Sequence, residues 1–145
     1  MKAQAFFVVG HSNWGKSQTL RALAGPHQVR RWSVKGRDFF VRRMSNDDLS
    51  DKWMKFIKQL DPARRSHVIA ALCPKTDALD LLGTLKDKYN LFFWVLRHSY
   101  EGYGAISAQE EDALRALGTV VVFDQKHAPA EQRAKALKEF VLANP

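Results

Sequence analysis

The apolar positions of the chain follow two alternating patterns. Short unbroken runs at residues 5–9, 68–72, 91–96 and 119–123 are what strands covered on both faces of a sheet require. Between them, apolar residues recur every three or four positions, as on one face of a helix. Leu49, Trp53, Phe56 and Leu60 make one such face, Ala78, Leu82, Leu85 and Tyr89 a second, and Ala130, Ala134, Leu137 and Val141 a third. Residues 18–24 lead out of the first run as a helix, which Gly25-Pro26 stops. Two β-prone runs, 29–34 and 37–44, are joined by Lys35-Gly36, a tight glycine turn that predicts a hairpin. Asn46-Asp47-Asp48 then breaks the strand, and Asp61-Pro62 closes the helix that follows. Ser107-Ala108-Gln109-Glu110 matches a capping box and predicts a helix through Leu117, ended by Gly118. Pro129 stands where the first turn of the last helix tolerates it.

The resulting order is β-α-β-β-α-β-α-β-α-β-α. It predicts an α/β fold, a three-layer sandwich with helices on both faces of a mostly parallel sheet of about six strands, carrying one antiparallel edge hairpin. No repeat, low-complexity segment or linker divides the chain, so residues 1–145 read as a single domain able to close its own core.

Ligands of such sheets bind at the carboxyl ends of the strands. There the first strand delivers Gly10-His11-Ser12-Asn13-Trp14-Gly15-Lys16-Ser17. This fits G-x-x-x-x-G-K-[ST], the phosphate-binding P-loop, in the strand–loop–helix context the motif requires. Gly10 and Gly15 let the backbone curl so that successive N–H groups, through Gln18, converge on phosphate oxygens. The positive N-terminal end of the helix adds to them. Lys16 would reach the β- and γ-phosphates and the Ser17 hydroxyl would ligate Mg²⁺, so a nucleoside triphosphate with Mg²⁺ is the expected ligand. Catalysis on such a loop also needs an acid after the third strand or a neighbouring one, bound to the metal through water. Asp47 is the candidate, with Asp48 beside it and one of the two expected to cap the next helix. Asp124, after the last strand, is a further acid at the same sheet end.

Motif and element order together resemble the P-loop NTPase superfamily. The order is similar to that of small Ras-like GTPases, in which a P-loop strand and helix also precede an antiparallel hairpin. The wording from Ser12 to Ser17 is similar to the first motif of bacterial ribosome-associated GTPases. The likeness in order runs along nearly the whole chain, and the motif-level match along residues 10–17. Two signatures of the family are missing. Its D-x-x-G is replaced by Ser45-Asn46-Asp47-Asp48-Leu49, with no glycine three residues after either acid. Its guanine-reading N-K-x-D is replaced by Arg97-His98-Ser99-Tyr100. Pro74-Lys75-Thr76-Asp77 comes near that motif but follows an earlier strand, and reads as a helix start with Thr76 as N-cap. ATP is therefore preferred over GTP. The resemblance implies a Mg²⁺-dependent nucleoside-triphosphatase of switch type. In the family's geometry residues 27–31 lie near the γ-phosphate, which makes Arg30 and Arg31 candidates for a catalytic arginine finger.

Charge adds a second requirement. The net +8 lies wholly in residues 1–60, with twelve Lys/Arg against four Asp/Glu, while residues 61–145 hold eleven of each. Only Lys16 belongs to the P-loop, so the excess calls for another anionic partner or substrate. The hairpin sets Arg30, Arg31, Lys35, Arg37, Arg42 and Arg43 among Trp32, Phe39 and Phe40. A nucleic acid or acidic protein would use such a pattern, and the same charges would also blunt an exposed sheet edge. The loop 97–105, with two tyrosines and two glycines, would serve as a lid or as a plain connector. Trp14 puts a large ring near the nucleotide or against a neighbouring helix.

Three functions remain in view: the triphosphatase; a small nucleoside- or nucleotide-type kinase with Asp47 as base and the arginines holding an anionic acceptor; and a nucleotide-dependent module that binds nucleic acid or protein without hydrolysis. The five histidines show no metal-ligand spacing. Cys73 is the single cysteine, which excludes an internal disulfide and reads as a buried small hydrophobe. No apolar run approaches the ~20 residues of a membrane span. Met1-Lys2-Ala3-Gln4 enters the first strand at once, leaving no room for a signal peptide. A cytoplasmic protein with no membrane partner is expected.

Overall fold

The computed structural model describes residues 2–25, 30–99 and 104–145. Its elements follow the expected order: β1 (Ala3–Val9), α1 (Lys16–Ala24), β2 (Arg31–Val34), β3 (Arg37–Arg42), α2 (Ser50–Lys58), β4 (His67–Leu72), α3 (Thr76–Leu85), β5 (Tyr89–Leu96), α4 (Ala108–Leu117), β6 (Thr119–Phe123) and α5 (Ala130–Leu142). The six strands form one sheet in the order β2-β3-β4-β1-β5-β6. Every pairing is parallel except the β2–β3 hairpin. The hairpin turns on Lys35 and Gly36 with φ of 49° and 78°. Two left-handed residues make the turn whose twist matches that of the flanking strands, and glycine adopts this conformation without strain.

β1 is buried along its whole length because it lies in mid-sheet with helices on both sides. Alternation along the strand divides its side chains between two cores. Ala3, Ala5, Phe7 and Val9 pack with Trp53, Phe56 and Ile57 of α2, Ala78, Leu82 and Leu85 of α3, and Leu114 of α4. Phe6 and Val8 pack with Leu20 of α1 and with Leu137 and Val141 of α5. The aromatic rows lock the register: Phe6 stacks on Phe92 at 4.4 Å and Phe7 on Phe93 at 5.6 Å. Each such ring contributes about 1.5–3 kcal/mol by burial alone. The result is the three-layer sandwich, with the carboxyl end of β1 at the centre of one rim.

Local details depart from the pattern where tertiary position overrides it. β6 is an edge strand with Val121 39% exposed, because an outermost strand has one neighbour and its faces are covered only in part. Tyr89 belongs to β5, where it is buried and its hydroxyl donates to Arg65 O at 2.5 Å. That burial pushes the phenol up to about 12. Leu49 is the exposed N-cap of α2, outside the buried face it seemed to begin. Neither Asp47 nor Asp48 caps that helix, and Lys75, not Thr76, is the N-cap of α3; neither start has a side-chain cap. The Ser107–Glu110 capping box forms in both directions. Among the described residues no helix is long and apolar enough to cross a membrane.

Candidate functional site

The loop between β1 and α1 needs two left-handed residues, Asn13 (φ 65°) and Gly15 (φ 93°). A side chain at Gly15 would also collide with the Arg133 guanidinium, which reaches from α5 to donate to Trp14 O at 3.2 Å. Gly10 has ordinary φ, but its carbon lies against Trp14 and Leu96, so a Cβ there would be tightly held. The start of α1 has no side-chain cap, and Thr19 is the first residue whose N–H bonds back, to Gly15 O at 3.0 Å. Among the described residues the N–H groups of Lys16, Ser17 and Gln18 form no backbone bond, as a helix start leaves them, and these residues line the adjoining cleft. That cleft, about 320 Å³, is lined by Asn13, Trp14, Gly15, Lys16, Ser17, Gln18, Arg43, Asp47 and Asp48.

Lys16 is buried at the head of α1. Its Nζ donates to Gly10 O at 2.7 Å and His11 O at 3.0 Å, and lies 3.6 Å from Asp47 Oδ2. Burial pulls the ammonium below its ordinary value of 10.5, and Asp47 restores part of that loss. Asp47 Oδ2 also accepts from Ser12 Oγ at 2.6 Å. One carboxylate thus ties both ends of the β1–α1 loop to the segment after β3.

The sheet order makes that arrangement less simple than chain order suggests. β4 lies between β3 and β1, and it ends at Cys73-Pro74 without an acid. The segment after β3 has to cross the end of β4 to reach Lys16. Asn46 holds the crossing: its Nδ2 donates to Cys73 O at 2.9 Å and its Oδ1 accepts from Cys73 N at 2.7 Å, all buried. Asp48 turns the other way and accepts from Ser45 N at 3.1 Å, closing the tight turn. Sequence reasoning reached Asp47 but missed Asn46. Its one signal was an amide beside the acids, which a turn residue explains equally well.

The remaining candidates are dispersed. The His11 side chain turns from the β1–α1 loop toward α4: its Nε2 pairs with Glu110 Oε2 at 2.8 Å and its Nδ1 lies 3.8 Å from Cys73 Sγ. Burial would raise the Glu110 carboxyl, but hydrogen bonds from the Ser107 N–H and from His11 prevail and hold it low. Cys73 is buried, and that burial pushes its thiol up. Trp14 is buried with α1 and α5, its ring edge-on to His11 at 5.0 Å and so close to Gly104 that a Cβ there would meet it at 2.9 Å. Arg30 and Arg31 line hollows along the hairpin and not the cleft at the head of α1, whose arginine is Arg43. The finger segment 27–31 lies in part outside the described residues, as do residues 100–103 of the 97–105 loop. The described ends of that loop bridge at His98 and Ala105. His98 and Arg97 both pair with Asp124, at 2.7 and 3.5 Å.

Two oxygens in the cleft suit a hard divalent cation. Asp47 Oδ1 is buried without a hydrogen-bond partner, and Ser17 lines the same cleft. Mg²⁺ keeps several waters and takes ligands from substrate phosphates, so one carboxylate and one hydroxyl suffice. Among the described residues no group of three His, Cys, Asp or Glu side chains would hold a metal unaided. Compared with known proteins, the chain matches no protein-family model and no curated protein.

Proposed function

We propose that this chain binds a purine nucleoside triphosphate with Mg²⁺ at Gly10–Ser17 and Gln18 and hydrolyses it, with ATP favoured over GTP. The observation that carries the reading is the uncapped start of α1 beside the buried Lys16–Asp47 pair. A buried ammonium held below its ordinary range gains most from an arriving polyanion. Lys16 would exchange the carbonyls of Gly10 and His11 for phosphate oxygens, while the open N–H groups of α1 receive the remaining charge. Ser17 and the free oxygen of Asp47 would hold the Mg²⁺, which neutralises charge on the phosphates as the bond breaks. Asp47 would then release Ser12, so the P-loop and the 45–48 segment respond together to the ligand.

The preference for ATP rests on the strand ends that would read a guanine. The Asp124 carboxylate there is taken by His98 and Arg97, and Arg97 also pairs with Glu111.

Thermal shift with ATP, GTP and their diphosphates, with and without Mg²⁺, tests binding, since a ligand stabilises by mass action. Phosphate release tests hydrolysis. A shift with ATP and Mg²⁺ that vanishes in Lys16→Ala, with phosphate release, is the expected result. Absence of any nucleotide-dependent shift refutes the reading, and a shift without phosphate release reduces it to binding.

A further inference from the structure

The basic residues of the hairpin do not form one surface. Arg37 turns toward the chain's end, donating to Gln4 Oε1 at 2.9 Å and to the carbonyls of Asn144 and Val141 at 3.0 Å each. Phe39 is buried in the core with α1 and α5. Phe40 packs toward α2 instead, and there the connection between α2 and β4 brings in Arg64 and Arg65. The Arg65 guanidinium lies 3.7 Å from the centre of the Phe40 ring, and that of Arg42 lies 5.0 Å from Phe56. The two rings stack on each other at 5.6 Å.

Around this stack run three adjoining hollows of about 400, 480 and 270 Å³, with Arg65 in the wall of each. Together they are bordered by Arg30, Arg31, Arg42, Arg43, Arg64 and Arg65. Two acids reach the same row. Asp38 bonds to Ser33, and Asp61 accepts from Ala63 N at 3.0 Å. None of the six arginines forms an ion pair among the described residues. Arg42 Nε is buried with no partner, and its guanidinium is lowered by burial and then by Arg30 and Arg65.

We infer that this groove binds the phosphodiester backbone of a single nucleic-acid strand. Six guanidiniums along a row of hollows exceed what one phosphate monoester can neutralise, and match a chain of regularly spaced monoanions. Guanidiniums laid on aromatic faces keep N–H edges for paired bonds to phosphate, and an outer face for a base to stack upon. A row of hollows follows one flexible strand, whereas a duplex presents its phosphates on a stiff convex rod. The inference stands on the groove and does not need the nucleotide reading.

The test is fluorescence anisotropy of a labelled oligothymidylate of roughly 20 nucleotides with the full chain. Binding should weaken linearly in log–log form between about 50 and 200 mM salt, with a slope near −0.7 for each phosphate neutralised. The double variant Arg64→Gln/Arg65→Gln should bind about tenfold more weakly and with a slope flatter by roughly 1.4. Both side chains are exposed, so an unchanged melting temperature confirms that the variant is folded. Lys135→Gln/Lys138→Gln removes as much charge from the exposed side of α5 and should leave affinity within about twofold. Four results overturn the inference: no binding at low salt, equal loss in the α5 control, competition by polyglutamate as strong as by unlabelled strand, or tighter binding of duplex. Lys16→Ala should bind the strand normally, while the arginine variant should keep its thermal shift with ATP, so either reading can fail without the other.

Discussion

Lys16 and Arg42 are both cations drawn partly out of water, one heading α1 and the other ending β3, and their surroundings differ. Lys16 donates to two carbonyls and has the Asp47 carboxylate 3.6 Å away. Arg42 faces the Phe56 ring, with Arg30 and Arg65 near enough to lower its guanidinium and no carboxylate in ion-pair range among the described residues. Where the chain supplies its own counter-charge, the cation is held in one place and its loop is tied down. Where it supplies none, the charge stays open to an anion from outside. Arg43 borders both the cleft at the head of α1 and the arginine groove, so the two arrangements meet at a single side chain.

The largest expected difference is in stability. Asp47→Ala leaves Lys16 buried without its carboxylate and should cost about 3–5 kcal/mol. Arg42→Gln removes one like charge from a crowd and should cost less than about 1 kcal/mol. Denaturant midpoints of the two variants check this, and similar losses would erase the contrast between the regions. Asn46→Ala should come next, at about 2–3 kcal/mol, because both backbone groups of Cys73 lose buried partners. The same variant frees the segment carrying Asp47, so any nucleotide-dependent thermal shift should shrink with it. If that shift keeps its full size, Asn46 is not what holds Asp47 in place.

Salt provides a smaller effect, confined to the arginine groove because the Lys16–Asp47 pair is buried and little screened. Screening relieves the uncompensated arginines, so raising salt from about 0.05 to 0.5 M should stabilise the protein by roughly 0.5–1 kcal/mol. Arg65→Gln should reduce that gain, and Asp47→Asn should leave it intact. Melting curves at the two salt levels decide between them.

The smallest effect concerns His67, at the edge of the groove. Burial, then Arg37, hold its imidazole below the ordinary 6.5 in the folded chain. The unfolded chain therefore takes up the proton first as pH falls. Stability from this group is complete above pH 6.5 and is lost as pH drops below it. His67→Gln should flatten the decline in melting temperature on acidification below pH 6.5. An unchanged profile would assign that decline to other groups.

Much of the fold was legible in the sequence. Alternating strand and helix patterns carried the order of all eleven elements, because burial on one face or both leaves a periodic trace in the chain itself. The place of the Gly10–Ser17 loop between β1 and α1 was legible for a similar reason, since its glycines and its flanking elements are contiguous in the chain. Patterns failed where position in the sheet mattered more than local spacing. Val121 looks like a core residue until β6 proves to be an edge, and Tyr89 continues a helical spacing although it opens β5. Charge counting along the chain also misled. A boundary at residue 60 assigned the excess to the first half, yet Arg64 and Arg65 join the groove from beyond it, and Arg37 leaves it to hold the chain's end.

By itself, then, the sequence determined the element order, the sheet's parallel character and the place of the glycine-bearing loop between β1 and α1, all consequences of neighbours along the chain. Only the tertiary structure decided which distant groups meet. It set β4 between β3 and β1, made Asn46 the bridge that brings Asp47 to Lys16, turned Trp14 inward, and gathered six arginines that form no ion pair among the described residues. The reason is physical: periodicity records how an element meets the core, while the pairing or isolation of charges depends on which elements the sheet places side by side.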